Sequence, residues 1–140
     1  MGRVIHTESA GKDRNRLTKA IVLALAKLAE TGASNEKRRD LAAFICLSLR
    51  LISETIDPTV AAWEKRGYWV KADRFRMEWS WTGQAAQKLK EAFLADDWDA
   101  IAQLADQIGV KLAKVKVSPH NRLGQPWVGA WEKLRGEIIS

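Results

Sequence analysis

Residues 57–81 read DPTVAAWEKRGYWVKADRFRMEWSW, and the spacing of the apolar residues in this stretch decides the fold. Asp57-Pro58 marks a helix start, because Asp caps free N–H groups and Pro is tolerated in the first turn. Helical spacing then continues to Trp81, which predicts one helix of roughly 35 Å at 1.5 Å per residue. On a 100° wheel, Trp63, Val70, Met77 and Trp81 fall within about 40° of one another. Ala61, Tyr68, Ala72, Phe75 and Trp79 fall on nearly the opposite side. Two opposed apolar stripes mean burial on both sides. The helix of about 58–81 is therefore expected to be the central post of an all-α fold. Helices one and two would cover one side, and later helices or a second copy of the chain the other. Gly67 lies inside it at a cost of about 1 kcal/mol relative to Ala, which leaves a break or a close helix crossing open there.

Working outward, helical periodicity dominates, and five to six helices are expected. The first spans about Lys12–Glu30, with a stripe of Leu17, Ile21, Ala24, Leu25 and Leu28. Gly32 and Ser34 are the candidate caps between it and a second helix of about Asn35–Thr55. The buried face of that helix reads Leu41, Phe44, Ile45, Ser48, Leu51 and Ile52. A fourth helix covers about Gly83–Ala95, and Asp96-Asp97 stop it and cap a fifth, Trp98–Ile108. Residues 110–126 are expected as an extended basic arm, where Lys114-Val115-Lys116-Val117 alternates like a strand. Trp127–Ile138 suits a last short helix.

A length of 140 residues, near the modal domain size, suits a single helical domain over 1–140. Cys46 is the only cysteine, so no internal disulfide can form, and its apolar surroundings predict a buried, inert thiol. The polar residues 1–15 carry no secretory signal, and Ala20–Ala26 is too short to span a bilayer. The cytoplasm is the expected location, with no membrane partner.

The formal net charge is +6, and it is unevenly spread. Residues 1–39 carry +5 and residues 110–140 carry +4, whereas residues 82–109 carry −3. Basic ends of this kind attract an anionic polymer, or they orient self-association against the acidic flank. Near the N-terminus, Ser9-Ala10-Gly11-Lys12 reads as a helix start with free N–H groups for an anion. Lys12, Arg16 and Lys19 follow along one face, with Arg14 pointing elsewhere. In residues 57–81, Lys65 and Arg76 share an edge with Trp69, an indole placed among charges. That indole is either a rim residue covered by cation stems or a platform for stacking on bases. The arm adds Lys111, Lys114, Lys116, His120 and Arg122.

No catalytic constellation is visible. His6 and His120 lack orienting partners nearby in the sequence, and one Cys with two His does not make a usual zinc site. Asp96, Asp97 and Asp99 lack the pattern of a calcium loop and read as helix caps. No catalytic residue, metal, cofactor or small-molecule substrate is expected. The expected function is non-catalytic binding of nucleic acid, DNA or RNA, through the phosphate backbone with little sequence specificity. Its candidate residues are Lys12, Arg14, Arg16, Lys19, Lys65, Trp69, Arg76, Lys114, Lys116 and Arg122. The alternative is a homo-oligomeric scaffold, or a small helical subunit of a larger, nucleoprotein-type assembly, suggested by the tryptophan load and the two-sided central helix.

Overall fold

Leu41 to Ile52 determine where the core lies. Nine residues in that run are buried: Leu41, Ala42, Ala43, Ile45, Cys46, Leu47, Ser48, Leu49 and Ile52. They cover every side of their helix, and a helix that is apolar all round is enclosed by others. The computed structural model describes the backbone of residues 7–30 and 35–139, and the side chains of 11–30 and 35–137. The described residues are helical and contain no strand. In chain order the helices are α1 (Thr7–Ala29), α2 (Asn35–Glu54), α3 (Ile56–Lys65), α4 (Trp69–Trp79), α5 (Trp81–Leu94), α6 (Trp98–Lys111) and α7 (Ala130–Ile139).

The central post is α2, with α1, α5 and α7 packed around it and α6 laid against α5. The main core joins Ile21 and Ala24 of α1, Leu89 and Phe93 of α5, Ile101 and Ile108 of α6, and Leu134 of α7 to the α2 residues. Two polar clamps seat α7 on α2. The Asp40 carboxylate accepts from the backbone N–H groups of Trp131 (3.0 Å) and Gly129 (3.3 Å), capping α7 from another helix. Further along, Arg50 donates twice to Glu137, at 2.6 and 2.9 Å.

The single rod expected over 58–81 is instead three helices, and it is not the centre. Gly67 adopts φ +80°, the left-handed region open to glycine. Its N–H donates to Glu64 O and the Tyr68 N–H donates to Trp63 O, both at 2.9 Å. These paired bonds satisfy the last carbonyls of α3 in a Schellman motif. The chain then turns back, and α4 packs on α3 as an antiparallel hairpin. Ser80, itself in a helical conformation, separates α4 from α5. Of the two stripes, one buries Ala72 and Phe75 but leaves Tyr68 exposed, and in the other Val70 and Met77 are 67% and 80% exposed. The hairpin has its own small core of Ile56, Val60, Ala72 and Phe75, flanked by Trp63 and Trp79. Trp63 meets Phe75 edge-on, with ring centroids 5.1 Å apart.

Two further expectations change. The first helix begins at Thr7, so Ser9-Ala10-Gly11 lies inside it and Lys12 is in the second turn. The free N–H groups of α1 therefore do not sit beside Lys12. The arm expected over 110–126 is non-helical only from Leu112 and stays so through Gly129, so the last helix starts at Ala130 rather than Trp127, and the segment is neither strand nor detached arm. Leu112 and Trp127 are buried, and Val115 packs on the main core. Local bonds shape the turn between them: Asn121 Nδ2 donates to Ser118 O, and Leu123 N–H donates to Asn121 Oδ1. Asp96 and Asp97 act as helix signals. Asp96 takes φ 51° at the end of α5, and the Asp97 carboxylate accepts from the Ala100 N–H at the start of α6. The expected caps Gly32 and Ser34, and His6, lie outside the described residues.

Candidate functional site

Lysines far apart in sequence meet in one groove. Lys19 comes from α1, Lys111 from the end of α6, and Lys114 and Lys116 from the segment that follows. The segment is held there because Leu112 and Val115, which alternate with these lysines, point into the core. Trp79 and Trp81 line the same groove from either side of the α4–α5 junction, together with Asn15, Thr18 and Glu78. The cavity holds about 460 Å³. Glu78 is its only acidic lining residue. Among the described residues, none of the four lysines is in an ion pair. An uncompensated cluster of cations over indoles can hold phosphate groups, with the apolar rings excluding water on one side.

A second, larger cavity of about 730 Å³ opens at the tip of the α3–α4 hairpin. Trp63, Tyr68, Trp69, Lys71, Arg74 and Phe75 line much of it, and Glu78 closes one end. Glu78, on α4, therefore borders both cavities. Tyr68 and Trp69 are 53% and 60% exposed, and they are the only exposed aromatic residues among those described. Among the described residues, no cation covers Trp69; Lys71 lies over Trp63 instead, 4.6 Å from its ring centroid.

The ten sequence-derived site residues divide accordingly. Lys19, Lys114 and Lys116 converge in the lysine groove, and Trp69 lines the tip cavity, with Lys65 exposed at the end of α3. Lys12 and Arg122 are exposed but line neither cavity. Arg16 is exposed and pairs with Asp13 at 3.6 Å. Arg76 pairs with Glu64 across the hairpin, also at 3.6 Å. Arg14 cannot serve as a surface cation. It is 8% exposed, its guanidinium lies against Phe75 and Trp79, and burial lowers its pKa, opposed by the charge of Glu78. Its position on the wheel gives no hint of this, because the ring it meets is more than sixty residues away.

The sequence reading missed the two indoles of the groove, which the wheel assigns only to buried stripes, and it missed Glu78 as the divider. Trp79 and Trp81 flank Ser80 at the junction of α4 and α5, and no local residue pattern announces that both indoles line the lysine groove. Among the described residues, no three His, Cys, Asp or Glu side chains converge as a metal site. No helix among them is long and apolar enough to cross a membrane. Compared with known proteins, the chain matches no family model, no curated protein and no solved structure.

Proposed function

We propose that this protein binds nucleic acid without catalysis, through the phosphate backbone and with little sequence specificity. The observation that carries this reading is the meeting of Lys19, Lys111, Lys114 and Lys116 in one groove faced by a single carboxylate. Phosphates replace condensed counterions at such a site, so affinity is electrostatic and salt-dependent. The direct test is fluorescence polarisation with labelled DNA and RNA from about 20 to 200 mM salt. Binding should weaken steeply over that range, and K114A/K116A should weaken it at every salt concentration. Absence of binding by the wild-type protein at the lowest salt would remove the reading.

Self-association is the second reading, and Val70 and Met77 support it. They stand one heptad apart on α4, both strongly exposed, as an apolar edge. Light scattering across protein concentration tests it: a mass fixed at one chain rules it out. The two readings are compatible, because this edge and the lysine groove use different side chains.

A further inference from the structure

We infer that the hairpin tip is a base-stacking platform, and that the preferred ligand is single-stranded rather than duplex nucleic acid. This rests on the nucleic-acid reading of the lysine groove and adds the strandedness of its ligand. Nine of the eleven aromatic side chains in the protein are buried or half-buried. The two exceptions, Tyr68 and Trp69, are adjacent and stand at one cavity. Among the described residues, neither ring meets another ring or a cation, whereas the neighbouring Trp63, Phe75 and Trp79 are joined in ring contacts. The Gly67 turn produces this display. By ending α3 in a left-handed conformation, it carries Tyr68 and Trp69 round the outside of the bend.

Charge selects the occupant. Lys71 and Arg74 line the tip cavity, and Lys65 and Arg66 stand exposed beside it. Among the described residues, Lys65, Arg66 and Arg74 form no ion pair. Cations beside free aromatic faces match a chain of bases and phosphates. The same edge of α4 leads past Glu78 to the lysine groove, so one strand can lie across both cavities. α4 itself is about 16 Å long at 1.5 Å per residue, and the two cavities together suit a site of about 4–8 nucleotides, within the range of single-strand binders. A duplex keeps its bases stacked on each other and cannot offer their faces to Tyr68 and Trp69. It would touch the lysines alone.

The test compares a labelled dT12 oligonucleotide with a 12-base-pair duplex at low salt, using wild type, W69A, Y68A and K114A/K116A. Trp69 lies outside both cores, so circular dichroism of W69A should match wild type. The expected result is tighter binding of dT12 than of duplex by wild type. W69A and Y68A should each weaken dT12 by about tenfold, as removal of one stacked base does, and leave duplex binding within about twofold. K114A/K116A should weaken both ligands. A W69F variant should recover most of the dT12 affinity. Equal wild-type affinity for both ligands, or W69A indistinguishable from wild type on dT12, overturns the stacking inference while backbone binding stands. Failure of wild type to bind either ligand overturns both. Co-sedimentation with phosphatidylserine vesicles serves as a control: Trp69-dependent vesicle binding without Trp69-dependent dT12 binding would make the tip a membrane contact and overturn the inference.

Discussion

Arg14 on α1 holds its guanidinium carbon 4.4 Å from the ring centroid of Phe75 on α4. The same group lies 5.6 Å from the ring of Trp79, so one side chain joins the hairpin's small core to the first helix. Its Nε and Nη2 are buried and make no hydrogen bond among the described residues. Two terms therefore oppose each other. A desolvated cation–π contact contributes about 2 kcal/mol, and orphaned buried donors cost about 1–3 kcal/mol. The near balance predicts that R14M, which keeps the stem and removes the charge, stays within about 1 kcal/mol of wild type. R14A loses the stem as well and should be less stable by about 2 kcal/mol through the cavity it leaves. Urea unfolding curves of the two variants check the difference.

Gly67 and Gly109 should respond in opposite directions to alanine. A Cβ at either position meets no atom within 4 Å, so steric crowding plays no part. Gly67 sits at φ +80°, where an L side chain is strained by about 1–2 kcal/mol. Gly109 lies inside α6 without that constraint, where Ala is favoured by up to about 1 kcal/mol. G67A is expected to lower the melting temperature and G109A to raise it, each by a few degrees. A rise for both would contradict the assigned turn at the end of α3.

The all-helical class was legible because helix periodicity is local: each stripe is written within a few turns. The caps at Asp96 and Asp97 were legible for the same reason. The central helix was not, because two patterns competed for that role. The wheel rewards the opposed stripes of 58–81, but Gly67 divides them and its cap bonds depend on φ at a single residue. The unbroken run Leu41–Leu49 carried the better signal, since apolar residues on every face of a helix leave no side for water. The lysines of the site were visible as two basic ends. Their convergence was not, because Lys19 and Lys114 are brought together only by the way Leu112 and Val115 dock. Arg14 was misread for a related reason, its partner rings being distant in the chain.

The Arg50–Glu137 clamp should make stability depend on acidity. Hydrogen bonding from Arg50 is the largest influence on Glu137 and lowers its pKa below the ordinary glutamate value. A depressed folded-state pKa means that the unfolded chain binds the proton more readily, so stability rises with pH. The contribution is complete above the unfolded value of about 4.3 and is lost as pH falls through the folded value. Both side chains are more than a third exposed, so solvent screening limits the pair to about 1 kcal/mol. Melting temperatures of wild type and E137Q should differ by a few degrees at pH 7 and converge toward pH 3. A constant gap across that range would contradict the assignment.

Cys46 should resist thiol reagents in the folded protein. Burial pushes its pKa up to about 11, and its Sγ donates to Ala86 O at 3.4 Å inside the main core. At pH 8 the folded thiol is then about one part in a thousand thiolate, against about a quarter for an unperturbed cysteine. Labelling by a disulfide reagent should be slow in buffer and fast in denaturing urea, with a rate that follows the unfolding equilibrium. Rapid labelling of folded protein would place Cys46 outside the core.

Glu78 is the residue whose removal should improve binding. It borders both cavities, and the groove otherwise presents only Lys19, Lys111, Lys114 and Lys116 as charged side chains. A carboxylate there repels every phosphate that passes from the groove to the hairpin tip. E78Q keeps the shape and removes that repulsion, so dT12 should bind about two- to fivefold more tightly at 20 mM salt, a gain that fades with screening near 200 mM. The four groove lysines, with Lys71 and Arg74 at the tip, each neutralising one phosphate of a single strand predict that log K falls against log salt with a slope of about −4. K114A/K116A should flatten that slope by about 1.4, whereas E78Q should leave it the same or slightly steeper. Weaker binding by E78Q, with fold and stability unchanged, would mean that Glu78 contacts the ligand as an acceptor, and the strand would then have to follow another edge of the hairpin.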